Sequence, residues 1–271
     1  MKEYVLGPAG MTSSTYEQPL PAARASEASS GHLADGTMIP GRWQVYPEMG
    51  PAGLWTTPSD LIRWAMEIAA TRAGRSTGFF SQALAKEMLT VQKAPTGLGP
   101  WVEGTGLQFR FGHGGDNAGF HADLIYLPEL GQGLAIMTNG DRGADLIEEI
   151  QLAIAAEYGW TDLGPRVVTM VPLGAAALRR VAGTYLFDYE HQRIPTTIEL
   201  TGGRLIAHWP VQPAGEELLP LSALTFVSAD HGYRYQFRTS GPKKVTRAVV
   251  DLGPGRPLTG RRKVGPAGPP H

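Results

Sequence analysis

Polar and apolar residues alternate along this chain with two different periods, one typical of helices and the other of strands. The clearest helical pattern follows Thr57, where apolar residues recur on one face at Leu61, Ala65, Ile68 and Ala69. Thr57 is a good N-cap, Pro58 suits the first helical position and Asp60 the third. We therefore predict a helix from Pro58 to about Thr71.

Three further segments also have helical patterns. We predict one helix from Gln82 to Leu89 with Ser81 as its cap, and another from Arg142 to Tyr158. In the second, the apolar stripe expected to cover a sheet is formed by Leu146, Ile150 and Ile154. The opening MKEYVL resembles the last turns of a helix that ends at Gly7-Pro8, which leads us to expect further chain upstream.

Strand-like runs follow the second helix. They are LQFRF from Leu107, GFHADLIYL from Gly119 and GLAIMTN from Gly133. The intervening PELGQG favours an antiparallel hairpin, and the third run is apolar on both alternations, as in a strand covered on both faces. Between Thr12 and Pro47 the chain has little periodicity, and a connection this long is typical of a lid, a binding loop or a disordered segment.

The pattern changes in the second part of the chain, where only short strands recur. They are GTYLF, TTIEL, RLIAHW, LTFVS, YRYQFR and TRAVVD, with Gly202-Gly203 as a two-residue hairpin turn. We expect an α+β fold: an antiparallel sheet with helices, followed by a small all-β, barrel-like domain. The expected boundaries are 1–160 for the first domain, 161–177 for a linker, 178–252 for the β domain and 253–271 for a disordered tail.

Composition narrows the classes of partner. The 271 residues include 24 basic and 25 acidic ones, so the net charge of −1 gives no reason to expect a nucleic acid or an anionic membrane. There is no cysteine, which excludes disulfides and a cysteine nucleophile. We find neither a membrane-spanning run nor a secretion signal, so the sequence alone assigns no compartment.

The segment FGHGGDNAGFHADLIYLP, residues 111–128, contains histidines, aspartates and glycines within a strand-like pattern. Glycine weakens a strand interior and often marks a close approach to its main chain. Gly114 and Gly115 after His113 would let an amide or ester carbonyl lie against the strand, with a strand N–H in the oxyanion hole. Two alternatives are open: a core histidine on the face of Leu107, Phe109 and Phe111, or a metal site. The metal ligands would be His113, Asp116, His121 and Asp123.

Five segments in order resemble the C-terminal half of the serine β-lactamase-like hydrolases, which include class C β-lactamases, DD-peptidases, D-aminopeptidases and esterases. They are GPAGMTSSTYE, AGLWTTPSDLIRWA, FGHGGDNAGFHADLIYLPE, GLAIMTNGD and the helix that follows. His113-Gly114-Gly115 matches the family's His-x-Gly strand motif. The resemblance implies a catalytic role for His113 and substrate binding by Gly114, Gly115, Asp116 and Asn117, without metal or cofactor. RRVAGTYLF and the later strands resemble the lipocalin-like domain attached to many such hydrolases.

The chain departs from the family pattern at the nucleophile. Members carry Ser-x-x-Lys at a helix start and then Tyr-x-Asn or Tyr-x-Ser, and both should lie upstream of MKEYVL. The one formal Ser-x-x-Lys, Ser240 to Lys243, contains Gly-Pro and is expected in a turn. The resemblance thus implies a hydrolase fragment with a small-molecule or peptide substrate. It would lack the N-terminal half of its catalytic domain, be inactive alone and expose an apolar face that favours self-association.

Two other functions stay open: a truncated product without its own activity, and a non-catalytic module that binds an apolar or cell-wall ligand. The second is motivated by the aromatic residues of the β domain, Tyr185, Trp209, Tyr233, Tyr235 and Phe237. Tyr46, Glu48 and Trp55 could line a cleft, although packing is the more common role of such aromatic residues. Asp141 is expected to cap the helix that starts at Arg142, and His191, His208 and His231 to lie on strand faces.

Overall fold

The computed structural model describes residues 1–76, 80–93, 95–164, 167–189, 192–210, 212–241, 244–252 and 257–263. The chain divides into two compact units, Met1–Pro165 and Arg166–His271. Helices of the first unit are α1 (Met49–Ala52), α2 (Pro58–Arg72), α3 (Gln82–Met88) and α4 (Gly143–Tyr158). Its strands are β1 (Trp101–Glu103), β2 (Arg110–Asn117), β3 (Phe120–Leu127) and β4 (Gln132–Thr138).

The four strands form one antiparallel sheet in the order β1-β2-β3-β4. The three predicted strand regions are present, but the first begins later than expected. Leu107 lies in a short 3-10 turn, Gly106–Gln108, and β2 starts only at Arg110. The short strand β1 was not predicted, because three residues are too few to show a period.

Two of the hydrophobic clusters in the first unit include residues of the sheet. One is built around α2, where Ala65 and Ile68 pack with Phe111 and Leu124 of the sheet. The other contains Ile125, Leu127 and Leu134 of the sheet with Ala155 of α4 and the following Trp160. Because successive side chains of a strand point to opposite faces, β3 contributes to both clusters.

Helix α2 matches its prediction closely. The Thr57 side chain accepts a hydrogen bond from the Asp60 N–H, and Ala65, Ile68 and Ala69 are buried. Asp60 is also buried, and its carboxylate accepts from the Ser13 N–H and the Ser14 hydroxyl at 2.8 Å each. This carboxylate therefore fastens the N-terminal segment to the first turn of α2.

Helix α4 differs from its prediction in two respects. Its buried residues include Ile147 and Ala155, and the predicted Ile154 packs against the same cluster as Ala155, whereas Leu146 is about half exposed, so the predicted stripe is correct only in part. Asp141 does not cap the helix, because its carboxylate instead accepts from the Gly119 N–H at 2.5 Å. Both differences arise from tertiary contacts with the sheet, which local spacing does not encode.

The second unit is a closed barrel of eight antiparallel strands, preceded by α5 (Ala175–Val181). The strands are β5 (Gly183–Tyr189), β6 (Gln192–Thr201), β7 (Arg204–Trp209), β8 (Gln212–Ser222), β9 (Thr225–Ser228), β10 (Arg234–Ser240), β11 (Lys244–Asp251) and β12 (Pro257–Arg262). Gly202 and Gly203 join β6 to β7 as a two-residue turn, both at positive φ. The expected α+β class with a β barrel is confirmed at this level.

The structure differs from the expected disordered tail at residues 257–262. These residues form β12, which pairs with β11 and β5 and closes the barrel. Gly260 allows the closure, since a Cβ there would lie 2.8 Å from the ring of Phe187. The remaining parts of the tail, 253–256 and 264–271, lie outside the described residues. Within the described part of the chain, no helix combines the length and apolarity that a membrane span requires.

A polar network lies inside the barrel. The Tyr235 hydroxyl donates to the buried Glu216 carboxylate at 2.5 Å and accepts from the Trp209 indole N–H at 2.8 Å. Burial, and then the adjacent Glu216 carboxylate, raise the pKa of Tyr235. His231 lies 3.3 Å from the other carboxylate oxygen. The tyrosine therefore stays protonated and joins the Trp209 indole N–H to one oxygen of the Glu216 carboxylate.

We expect Tyr235→Phe to lower the free energy of unfolding by about 2–3 kcal/mol, because it leaves the Trp209 N–H and a Glu216 oxygen unpaired. Urea unfolding followed by fluorescence measures the change. Tyr189→Phe is the matched control, since Tyr189 lies 46% exposed on β5 and should change stability by less than about 0.5 kcal/mol. Equal effects of the two substitutions would contradict a structural role for the network.

Candidate functional site

The candidate site lies along the outer edge of β2. Strand β1 pairs only with Arg110, Phe111 and Gly112, so from His113 onward this edge has no strand partner within the described residues. On the other side, β3 pairs with β2 as far as Asn117. An unpaired strand edge presents main-chain N–H and C=O groups to which an extended ligand can hydrogen bond.

The glycines of β2 have different steric surroundings. A Cβ at Gly112 would lie 1.9 Å from the Leu124 carbonyl oxygen, so packing requires glycine there. At Gly114 the nearest atoms would be 3.8 Å away, and at Gly115 the Ala122 Cβ would be at 3.6 Å. None of these glycines has a positive φ. The fold therefore has no need of glycine at Gly114 and Gly115, both of which are exposed.

His113 is exposed, although Phe111 on the same face of β2 is fully buried. The alternative of a core histidine is therefore wrong, as the protein core ends before this position. The His113 Nδ1 lies 2.5 Å from the Gly114 carbonyl oxygen. Since a carbonyl oxygen only accepts, Nδ1 carries a proton, and in the neutral ring Nε2 is left as an acceptor.

Asp116 and His121 face each other across the β2–β3 pair. The Asp116 carboxylate is 82% exposed, and its Oδ1 lies 3.5 Å from His121 Nδ1. The other ring nitrogen of His121 is 3.1 Å from the Asp141 carbonyl oxygen and therefore donates to it. His121 thus links the site strand to the residues that follow β4.

The long N-terminal segment contacts the turn between β2 and β3. The Tyr46 hydroxyl accepts from the Ala118 N–H at 2.9 Å, and the Asn117 side-chain amide donates to the Ala52 carbonyl at 3.2 Å. A Cβ at Gly119 would collide with Ile39, which shows how closely the segment packs there. Of the predicted substrate-binding residues, Asn117 is accordingly engaged by the fold, whereas the three before it are exposed.

Asp123 lies behind the open strand, opposite Gly114 in the β2–β3 register. Its carboxylate accepts a hydrogen bond from the Gln151 amide of α4. Burial raises the pKa of Asp123 to about 6, although the Gln151 hydrogen bond and the charge of His113 oppose the rise. The sequence-based interpretation considered Asp123 only as a metal ligand. The sequence did contain an indication of its role, because Asp123 is a polar residue on the same face of the strand as the buried Ile125 and Leu127.

The remaining residues that the sequence suggested as candidates do not form one group in the structure. Trp55 packs edge-on against Trp43 at 5.1 Å, consistent with a packing anchor, and Glu48 is exposed. His208 lies 3.1 Å from Glu199 in the barrel unit, whereas His191 lies outside the described residues. In the described part of the chain, no group of three or more His, Asp or Glu side chains is arranged to hold a metal ion.

Ser240 is the last residue of β10 in the barrel, so it does not begin a helix. Strand β11 starts at Lys244, which pairs in register with Ser240. Lys243 itself lies outside the described residues. The exposed Ser240 therefore lacks the helical setting of the family's nucleophile.

Comparison with known proteins identifies the family. A family model described as Beta-lactamase matches residues 1–157, more than half of the chain. The chain therefore belongs to the beta-lactamase family. A search of curated proteins found no match.

Two solved structures share the fold over almost the whole chain. SurE is 21% identical with a TM-score of 0.53, and SurE with D-Leu is 19% identical with a TM-score of 0.51. The chain is covered to 97% in both cases, and it covers 62% and 61% of those chains. The octameric penicillin-binding protein homologue from Pyrococcus abyssi is 17% identical over 96% of this chain and 59% of its own, with a TM-score of 0.49. The chain thus spans about three-fifths of the length of these proteins.

We expect Gly112→Ala to lower the free energy of unfolding by about 3 kcal/mol, because the new Cβ would displace the Leu124 carbonyl and with it the β2–β3 pairing. Gly115→Ala should be neutral or stabilising by about 0.5–1 kcal/mol, since the space is open and alanine suits a strand better. Chemical denaturation of the two variants measures the difference. A destabilised Gly115→Ala would contradict the open environment of the strand.

The raised pKa of Asp123 predicts a pH dependence of stability. Because the folded pKa of about 6 exceeds the usual 3.8, the folded chain binds the proton more tightly than the unfolded chain. The Asp123 contribution to unfolding free energy falls as pH rises from about 4 to about 6. Asp123→Asn should therefore be more stable than wild type by about 2–3 kcal/mol at pH 7.5, with the difference vanishing towards pH 4.

Gln151→Leu is the matched variant for this test, because it removes a hydrogen bond that lowers the same pKa. It should extend the fall in stability to higher pH. Denaturation midpoints measured every half pH unit resolve both effects. A constant difference between Asp123→Asn and wild type across this range would contradict the assignment.

Proposed function

We propose that β2 is the substrate-binding strand of a serine hydrolase that cleaves an amide or ester, such as a β-lactam, a D-peptide or a small ester. A serine oxygen attacks the acyl carbon, the leaving amine or alcohol takes a proton, and water then hydrolyses the acyl-enzyme. Membership of the beta-lactamase family supports this reaction class. The observation that carries it here is the exposed Gly114-Gly115 main chain at an unpaired edge.

Each residue of the strand has a proposed role. His113 holds substrate or adjusts proton transfer through Nε2, because Nδ1 is engaged with the Gly114 carbonyl. Gly114 and Gly115 allow the acyl group to approach the main chain. The Asp116 N–H completes the oxyanion hole, as the family resemblance implies. Asn117 holds the end of the strand in place, because its side-chain amide donates a hydrogen bond to the Ala52 carbonyl.

We propose that the attacking serine is supplied from outside these 271 residues. The one Ser-x-x-Lys segment begins with Ser240, at the end of a barrel strand, and a nucleophile there would lack the helical frame that positions it beside a lysine. The chain by itself would then bind substrate without turning it over. Substrate binding and substrate turnover can therefore be measured separately.

We also propose that the second unit is a lipocalin-like domain joined through residues 161–177. Its eight strands follow one another around the barrel in chain order, which is the up-and-down arrangement of that class. Tyr185, Trp209, Tyr235 and Phe237 are buried in its core and contact other aromatic rings. Core packing therefore accounts for four of the five aromatic residues that motivated a separate ligand-binding module, and the fifth, Tyr233, is only partly buried.

The test uses the complete 271-residue chain. Penicillin G and an N-acetylated D-alanyl-D-alanine peptide should cause saturable shifts of the Gly114, Gly115 and Asp116 amide resonances in two-dimensional NMR. His113→Ala should weaken this binding about two- to tenfold by removal of one hydrogen bond, whereas His208→Ala, in the barrel, should not. Unmoved β2 resonances at saturating ligand would contradict the binding role.

The absence of an internal nucleophile is tested separately. Nitrocefin should not be hydrolysed by the chain, and intact-mass spectrometry should detect no acyl adduct. Turnover that survives Ser240→Ala would reveal another nucleophile within the chain. Turnover abolished by Ser240→Ala would assign that role to Ser240. Either outcome rejects an external serine while leaving the substrate-binding role of β2 intact.

A further inference from the structure

The two units carry opposite charge, which the net charge of the chain conceals. Residues 1–165 contain 10 basic and 18 acidic residues, whereas residues 166–271 contain 14 basic and 7 acidic ones. From Leu252 to His271 the sequence has four basic residues and no aspartate or glutamate. The barrel unit is therefore the part of the chain with an excess of positive charge.

Part of this charge is concentrated in a row across three strands. Arg238 of β10 pairs in register with Arg247 of β11, which pairs in register with Arg261 of β12. All three are exposed, and the chain neighbours Phe237, Ala248 and Gly260 are buried, so the row lies on the outer face of the barrel. Adjacent strands lie about 4.8 Å apart, and the row spans about 10 Å.

This arrangement is unfavourable without a negatively charged partner, because like charges directly opposite each other destabilise a sheet. Within the described residues, neither Arg247 nor Arg261 is among the arginines that form an ion pair with a carboxylate. Arg238 donates to the neutral Gln236 side chain at 3.0 Å. By contrast, Arg234 on the same face of β10 pairs in register with Asp251.

The row borders an open depression of about 500 Å³. Arg262 and the side chains of Ser240 and Thr246 also line it. Guanidinium groups bind phosphate through two parallel hydrogen bonds, and hydroxyl groups add further donors. The three arginines of the row and the two hydroxyl groups therefore offer cationic and neutral donors within one small area, whereas the Arg262 guanidinium already donates to the Arg180 and Ala182 carbonyls.

We propose that the outer face of β10–β12 binds a compact ligand with two or more phosphate groups. A ligand with several negative charges would offset the repulsion in the row better than a single carboxylate. The row is bounded by Leu186 of β5 beyond Arg261 and by the Arg234–Asp251 pair at the other end of β10 and β11. These limits favour a short polyphosphate group over an extended nucleic acid.

The experiment is isothermal titration of the complete chain with inorganic pyrophosphate and tripolyphosphate at 0.15 M salt. Both should bind saturably at one site per chain. Arg247→Gln should weaken binding about tenfold or more, because it removes the central guanidinium. Arg234→Gln is the matched control, an exposed arginine on the same strand pair, and should change affinity less than about twofold.

Thermal unfolding without ligand separates binding from folding. Arg247→Gln should be at least as stable as wild type at low salt, because the substitution relieves repulsion between neighbouring arginines. It should also lose the increase in Tm that tripolyphosphate gives the wild type. A folded Arg247→Gln that binds tripolyphosphate as tightly as wild type would overturn the site.

Three other results would overturn the proposal. If Arg234→Gln and Arg247→Gln weakened phosphate binding equally, the ligand would be attracted by the overall positive charge of the barrel and not by the arginine row. Tighter binding of citrate than of pyrophosphate would assign the surface to carboxylates. Binding of a single-stranded oligonucleotide without binding of tripolyphosphate would identify a nucleic-acid surface.

Discussion

The close contact between Gly112 and the Leu124 carbonyl sets the limits of the candidate site. No side chain larger than hydrogen fits at Gly112, where β2 lies between β1 and β3 and a Cβ would also meet the Trp101 ring. This is the last position at which β1 covers β2. Beyond it the strand keeps its pairing with β3 but loses its outer neighbour, which leaves the main chain of the following residues open.

The open edge is held from behind and from its far end. Asp123 and Gln151 connect the sheet to α4 directly behind Gly114. At the turn, Tyr46 binds the Ala118 N–H and Asp141 binds the Gly119 N–H. A strand fixed at these points presents its hydrogen-bonding groups in a set geometry, so a ligand that binds there need not order them first.

The parts of this fold that could be predicted from sequence are those specified locally. Thr57 caps α2 through an atom three residues away, and Gly202-Gly203 forms a hairpin through its own backbone. The position of Leu146 on α4 and the partner of Asp141 were assigned incorrectly because they depend on residues of the sheet. Strand β8 escaped prediction because its buried Glu216 reads as a surface residue until Tyr235 is placed beside it.

The candidate site divides in the same way. The glycine-rich strand pattern and the family resemblance together singled out residues 113–117, and the structure leaves 113–116 exposed. Asn117 looked equivalent in sequence, yet its amide is committed to Ala52, 65 residues earlier in the chain. The arginine row could not be predicted from the sequence, because it forms only when three strands pair in register. The net charge of the chain does not indicate it either, because the acidic residues of the first unit balance the basic residues of the second.

The closure of the barrel has a kinetic consequence. Phe187 on its first strand must meet Gly260 on its last, so the cylinder cannot form from neighbouring hairpins alone. Contacts between residues so distant in sequence are slow to form, because the intervening chain must lose conformational entropy before the contact contributes any stabilisation. Until that seam joins, β5 and β12 remain exposed edge strands on which another chain could add a strand.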